Sequence, residues 1–193
     1  MRLPHPFMFI ALVFPIAAIA QIRLPNLLSD HAVLQRNQPV HIWGWAKAEE
    51  MMTIRFHDQV LVTKADAVGE WETWLKPEPA GGPYTLTVSG DATAVSITRK
   101  DILLGDVWVA SGQSNMQFPL SGFPNLPLKE GEKEIAAANH PRMRLLLQKM
   151  ATSPVPLDDI TDSWTECTPD GDTQSCGLPK LICQGSVASL RSP

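Results

Sequence analysis

The chain of 193 residues has one tyrosine, three cysteines and no cluster of basic side chains. Lys and Arg number 16 against 20 Asp and Glu, a formal net charge of -4, and this removes the electrostatic footprint of a nucleic-acid binder. Apolar runs are short and interrupted by proline, whereas a membrane-spanning helix needs about 20 apolar residues. No Cys-x-x-Cys spacing occurs and no histidine lies near Cys167, Cys176 or Cys183, so no zinc site is expected. Three cysteines cannot all pair within one chain. What is plentiful is proline, at 17, and tryptophan, at six, which favour turns and strand ends over long helices. A composition of 44% hydrophobic and 19% charged residues argues against disorder, and the length suits one large or two small domains.

The opening segment, MRLPHPFMFIALVFPIAAIAQ, places Arg2 before an apolar run over 7–20 that closes on Ala18-Ile19-Ala20. A charged start, a short apolar run and small residues at the cleavage point form the order of a secretory signal peptide. A membrane anchor or buried helix is the alternative, but the run is short for a span. Residues 1–20 are therefore expected to be removed, leaving a mature chain that starts near Gln21, is secreted or periplasmic and has no remaining membrane attachment.

Over 26–100 the sequence alternates between short period-two runs and turn residues. QPVHIWGWA puts Val40 and Ile42 on one face and His41, Trp43 and Trp45 on the other. MMTIRFHD groups Met52, Ile54 and Phe56, GEWETWL groups Trp71, Thr73 and Leu75, and PYTLTVSG groups Tyr84, Leu86 and Val88. Such strands, broken by Gly, Pro, Asp and Asn, predict a small antiparallel β-sandwich of immunoglobulin or jelly-roll type over 21–100. Its alternate tryptophans, Trp43, Trp45, Trp71 and Trp74, fit core packing better than a sugar-stacking platform.

After Lys100 the pattern changes. DILLGDVWVAS is a more continuous apolar run, as in a parallel strand covered on both faces. LKEGEKEIAAAN favours a helix that Asn139 can cap and Pro141 ends, and RMRLLLQ again reads as a strand. Strand, helix and strand make one βαβ unit, the start of an α/β domain over 101–169. One such unit leaves most of its apolar faces uncovered, so the α/β part reads as truncated. Residues 170–193 show no helical or strand period.

The block GDVWVASGQSNMQFPL, at 105–120, ends a strand on small and polar residues. A serine on a tight turn after a strand suits nucleophilic catalysis, because a nearby base can reach its hydroxyl and backbone N–H groups can hold an oxyanion. By spacing alone, a strand followed by Ser-Gly-x-Ser is more often an ordinary polar loop. The block is not the Gly-x-Ser-x-Gly elbow, since Met116 stands at the last position. Asp106 has no carboxylate partner at a useful spacing and is read as a strand-entry residue.

This block resembles that of the sialate O-acetylesterases, members of the SGNH hydrolase superfamily. LSDHAVLQRNQPVHIWGWA, GEWETWLKPEPAGGPYTLTVSG and ILLGDVWV resemble the sandwich segment before it, and DSWTEC with Pro169 resembles the family's Trp-x-x-Cys-x-Pro stretch. The resemblance implies an N-terminal sandwich followed by a flavodoxin-like parallel α/β esterase domain. It also implies that Ser114 attacks an acetyl ester of sialic acid or a related acetylated glycan, giving an acetyl-enzyme that water hydrolyses. The Ser114 N–H is then one oxyanion donor, and Gln113 and Asn115 either orient the turn or touch substrate. No metal or other cofactor is implied.

The family uses a histidine with an aspartate three residues before it. None of His5, His31, His41, His57 and His140 has that spacing: the third residue before each is Arg2, Leu28, Gln38, Ile54 and Ala137. After Pro169 the resemblance stops, so a frameshift, a premature stop or a misjoined gene model is expected to separate this chain from its catalytic histidine. The alternatives to an esterase are accordingly an inactive fragment or a non-catalytic carbohydrate-binding sandwich. Sequencing the locus past codon 193 in all three frames is expected to reveal an Asp-x-x-His in a continuing frame; no such codons in any frame would refute the frameshift.

Overall fold

Alternation of apolar side chains accounts for most of the architecture. The structure, a computed structural model, describes residues 21–91, 96–109, 118–148, 152–155 and 157–169, together with the backbone of Cys183–Gln184. Strand β1 is Val33–Gln35, β2 is Val40–Trp45, β3 is Met51–Phe56 and β4 is Gln59–Lys64. They are followed by β5 (Glu70–Leu75), β6 (Gly81–Gly90) and β7 (Ser96–Gly105). Five of these form a sheet in the order β1-β7-β6-β3-β4, while β2 and β5 form an antiparallel ribbon.

The inward faces are those that the alternation predicts. Met52, Ile54 and Phe56 of β3 and Leu86 and Val88 of β6 are fully buried, with Ile54 opposite Val88 and Phe56 opposite Leu86. Ile42 of β2 and Trp71 and Leu75 of β5 complete the same core from the ribbon. The ribbon lies beside β4: the Thr63 hydroxyl donates to the Glu72 carbonyl at 2.9 Å, and the Lys76 N–H donates to Gln59 Oε1 at 2.8 Å. Strand β4 itself escapes the alternation rule because Val60 and Val62 are exposed apolar residues on an outer strand.

The apolar run after Lys100 belongs to this core. Strand β7 crosses position 100 without a break, and Ile102, Leu103 and Leu104 are buried in succession, so both faces of the strand are covered. It does have a parallel neighbour, but that neighbour is β1, with Val33 opposite Leu103 and Gln35 opposite Gly105. On its other side β7 is antiparallel to β6. With both ladder edges occupied, the run cannot take up the parallel partner expected for a βαβ unit.

The second expected strand of that unit pairs elsewhere. Helix α1 covers Gly131–Ala137 and is followed by β8 (His140–Leu146). Strand β8 lies between β9 (Thr165–Cys167) and β10 (Cys183–Gln184), antiparallel to both. The helix is capped by Ala138, whose N–H reaches the Ile135 carbonyl, and not by Asn139. His140 opens β8 opposite Cys167 with its side chain exposed, and Pro141 is inside the strand. The described residues are thus predominantly β. Among them no helix is long and apolar enough to cross a membrane.

Ile54 sits at the centre of the sheet, between Leu61 and Val88. Its replacement by alanine is expected to cost about 2–5 kcal/mol in urea unfolding, whereas Val62→Thr on the exposed face is expected to stay within about 0.5 kcal/mol.

Candidate functional site

The strand end that leads toward Ser114 is held by the segment after β1. The Arg36 N–H donates to the Gly105 carbonyl at 2.8 Å, extending the parallel ladder by one bond. The Arg36 Nε donates to Asp106 Oδ1 at 2.7 Å, and the Val107 N–H donates to Gln35 Oε1 at 2.9 Å. Asp106 therefore has a partner that sequence spacing could not reveal, because Arg36 lies 70 residues away. Beyond this strap Trp108 and Val109 are exposed. Gln113, Ser114 and Asn115 lie outside the described residues, as does the expected signal segment 1–20.

Each of three histidines meets a carboxylate that is remote in sequence. His41 Nε2 is 2.8 Å from Glu72 Oε2, and His57 Nδ1 is 2.7 Å from Glu78 Oε2. His31 Nδ1 is 2.7 Å from Asp101 Oδ2. A search confined to Asp-x-x-His cannot find such pairs, since strand pairing and loop contacts create them. The bond to Glu78 raises the His57 pKa; slight burial pulls the other way, and the charges of Asp58 and Glu78 add to the rise. Burial pushes the Glu78 carboxyl up, but its bonds from Gln59 and His57 hold it below the ordinary value.

The His31 pair is part of a larger node. Arg144, on β8, has 2% of its surface exposed, and its Nη2 lies 2.7 Å from Asp101 Oδ2 and 3.3 Å from Glu166 Oε1. Its Nη1 donates to the Pro141 carbonyl. The donors His31, Asp101 and Glu166 are near enough together to suggest a metal site. The guanidinium already supplies the positive charge between the two carboxylates, so the group reads as an ion-pair clamp joining β7 to the β8–β9 sheet.

The stretch DSWTEC contributes a second tie. Trp164 is 4% exposed within the main core, and its indole Nε1 donates to the Leu27 carbonyl at 2.9 Å. Nearby, the Asn26 N–H donates to Asp159 Oδ1 at 2.8 Å and Asn26 Nδ2 donates to the Ile160 carbonyl at 2.7 Å. Cys167, also buried, packs with Ala138 and Leu145. Trp164 thus anchors the later segment to the chain just before β1.

The fold matches that of part of a carbohydrate acetylesterase from Xanthomonas citri, with 38% identity and a TM-score of 0.70 over 77% of this chain and 33% of that one. The chain is homologous to the sialate O-acetylesterases: it is 29% identical to the Mus musculus protein over 159 residues and 30% identical to the Homo sapiens protein over 127. These matches cover 76% and 58% of the chain but 28% and 24% of the relatives, so the chain spans about a quarter of their length. By their names the relatives are hydrolases acting on esters, as the Gly-Gln-Ser-Asn-Met block led one to expect. No protein-family model matches the chain.

The clamp makes stability depend on acid. Partial burial would raise the Asp101 pKa, but the hydrogen bond from His31, followed by the charge and hydrogen bond of Arg144, holds it below the ordinary aspartate value. A depressed folded-state pKa stabilises the protein above the unfolded value of about 3.9, and this is lost as pH falls through the lower folded value. Unfolding measured from neutral to acid pH is expected to show Asp101→Asn less stable than wild type at pH 7 and less sensitive to acid. An acid limb identical to that of wild type would show that Asp101 contributes nothing there.

Proposed function

We propose that this chain is the part of a serine-dependent carbohydrate acetylesterase that carries the nucleophile. The observation that carries the reading is the fold and 38% identity shared with a carbohydrate acetylesterase across 77% of the chain. In this reading the Ser114 hydroxyl adds to the acetyl carbonyl, its proton passes to a base, and the sugar oxygen leaves protonated. Water then adds to the acetyl-enzyme, acetate departs and the serine is restored. The Ser114 N–H faces the developing oxyanion, while Gln113 and Asn115 fix the turn or meet the sugar.

The substrate in this reading is an O-acetyl ester on sialic acid or a related acetylated glycan, as the names of the curated relatives suggest. A secretory signal over residues 1–20 would direct the enzyme out of the cytoplasm. The base and its carboxylate are not supplied by an Asp-x-x-His of this chain. That observation favours one other reading, a fragment without turnover.

The test is hydrolysis of 4-nitrophenyl acetate by the purified, folded chain. Because no Asp-x-x-His of this chain supplies the base, only weak turnover is expected, and Ser114→Ala is expected to abolish the part of it that forms an acetyl-enzyme. A folded sample with no serine-dependent turnover overturns the esterase reading for this chain in favour of the fragment.

A further inference from the structure

The outer face of the ribbon formed by β2 and β5 is built unlike its inner face. His41, Trp43 and Trp45 project from alternate positions of β2, opposite Trp74, Glu72 and Glu70 of β5. The His41 ring is stacked between two indoles, 5.0 Å from Trp43 at an interplanar angle of 17° and 4.6 Å from Trp74 at 20°. Glu72 fixes the imidazole from the side at 2.8 Å. Trp74 remains 55% exposed, so this ladder of rings is not closed off by the fold.

Beside the ladder lies an open cavity of about 560 Å³. His41, Trp43, Trp45 and Trp71 form its aromatic wall, and Asp66, Glu70, Glu72 and Asp158 bring carboxylates to it. Gly44 is at its back, where an added Cβ would come within 2.8 Å of Trp71 Cζ2 and 3.2 Å of Cε2, and closer still to the Arg23 carbonyl. Only glycine lets the Trp71 indole edge approach the strand this closely. The Trp71 indole N–H itself is buried without a partner.

Flat aromatic faces beside fixed carboxylates suit a sugar ring. The apolar C–H face of a pyranose packs on an indole, and its hydroxyls donate to carboxylate oxygens. Charge narrows the ligand further. Four carboxylates line the cavity against one lysine, Lys64, which is already paired with Glu49. Arg23 is committed to the Trp45 ring, 3.7 Å from its centroid. An acidic surface of this kind repels a sialic acid carboxylate.

We propose that the outer face of the β2–β5 ribbon is a binding site for a neutral saccharide, with Trp43 as stacking surface and Glu72 and Glu70 as acceptors of sugar hydroxyls. The site is distinct from Ser114. It shares only the class of ligand with the proposed function, and it assigns the β-sandwich a role in holding the uncharged part of a glycan.

Titration of the full chain with xylo-, cello- and manno-oligosaccharides, followed by indole N–H resonances and calorimetry, tests the proposal. Saturable binding of at least one neutral oligosaccharide is expected, with the indole signals of Trp43 and Trp45 shifting. Trp43→Ala is expected to weaken it about tenfold or more. Glu72→Gln, at a position exposed enough to leave the fold intact, is expected to weaken binding without changing the melting temperature. Ser114→Ala is expected to leave binding unchanged, so failure here and failure of the esterase reading are separable. Absence of neutral-saccharide binding, equal binding by sialyllactose, or a preference for a cation such as choline would overturn the proposal.

Discussion

A buried guanidinium must be answered by anions, and Arg144 is the group on which the arrangement of this chain turns. At 2% exposure its charge is tolerable only because Asp101 from β7 and Glu166 from β9 stand against the same nitrogen, with the Pro141 carbonyl on the other. The bonds are directional, so they fix where β8 lies relative to the five-stranded sheet as well as holding it there. Trp164 reinforces the arrangement from the core, with its indole tied to Leu27. Chain leaves the main sheet at Gly105 and returns to a fixed place at β8, so the segment containing Ser114 connects two anchored points.

Charge is distributed unevenly over this frame. His31 and Asp101 lie inside a network that Arg144 neutralises, whereas the carboxylates beside Trp43 and Trp45 have little cationic company. The two acidic groups therefore do different work: one joins sheets, and the other leaves a surface that favours uncharged ligands. Trp71 and Trp43 illustrate the same division among aromatics. Both line the cavity, but Trp71 is buried in the core, whereas Trp43 is only partly buried against it.

Much of the β-strand arrangement is legible in the alternation of MMTIRFHD, GEWETWL and PYTLTVSG, since one-sided burial imposes a period of two. The run DILLG showed that a strand was covered on both faces but not which neighbours covered it. Partner choice is a long-range property, and β1, only three residues long, offers too little pattern to be noticed. The exposed valines of β4 obscured that strand in the same way. At the candidate site, Ser114 was marked by its block and not by any partner. The histidine–carboxylate pairs and the Arg36 contact with Asp106 were invisible because 21 to 70 residues separate their members. The alternate tryptophans favour core packing, which Trp71 adopts, whereas Trp74 stands on the surface.

The strap from Gln35 and Arg36 to the end of β7 has a kinetic meaning as well. Its bonds join residues 70 and 72 positions apart, while β3 and β4 are joined by a tight turn. Loop closure over such a distance is entropically costly until the intervening strands have shortened the path. The β3–β4 hairpin, the pairing of β3 with β6 and that of β6 with β7 are therefore favoured first, and β1 docks late. The exit of the chain toward Ser114 is consequently among the last parts of the sheet to be set during folding, and among the first released when β1 frays.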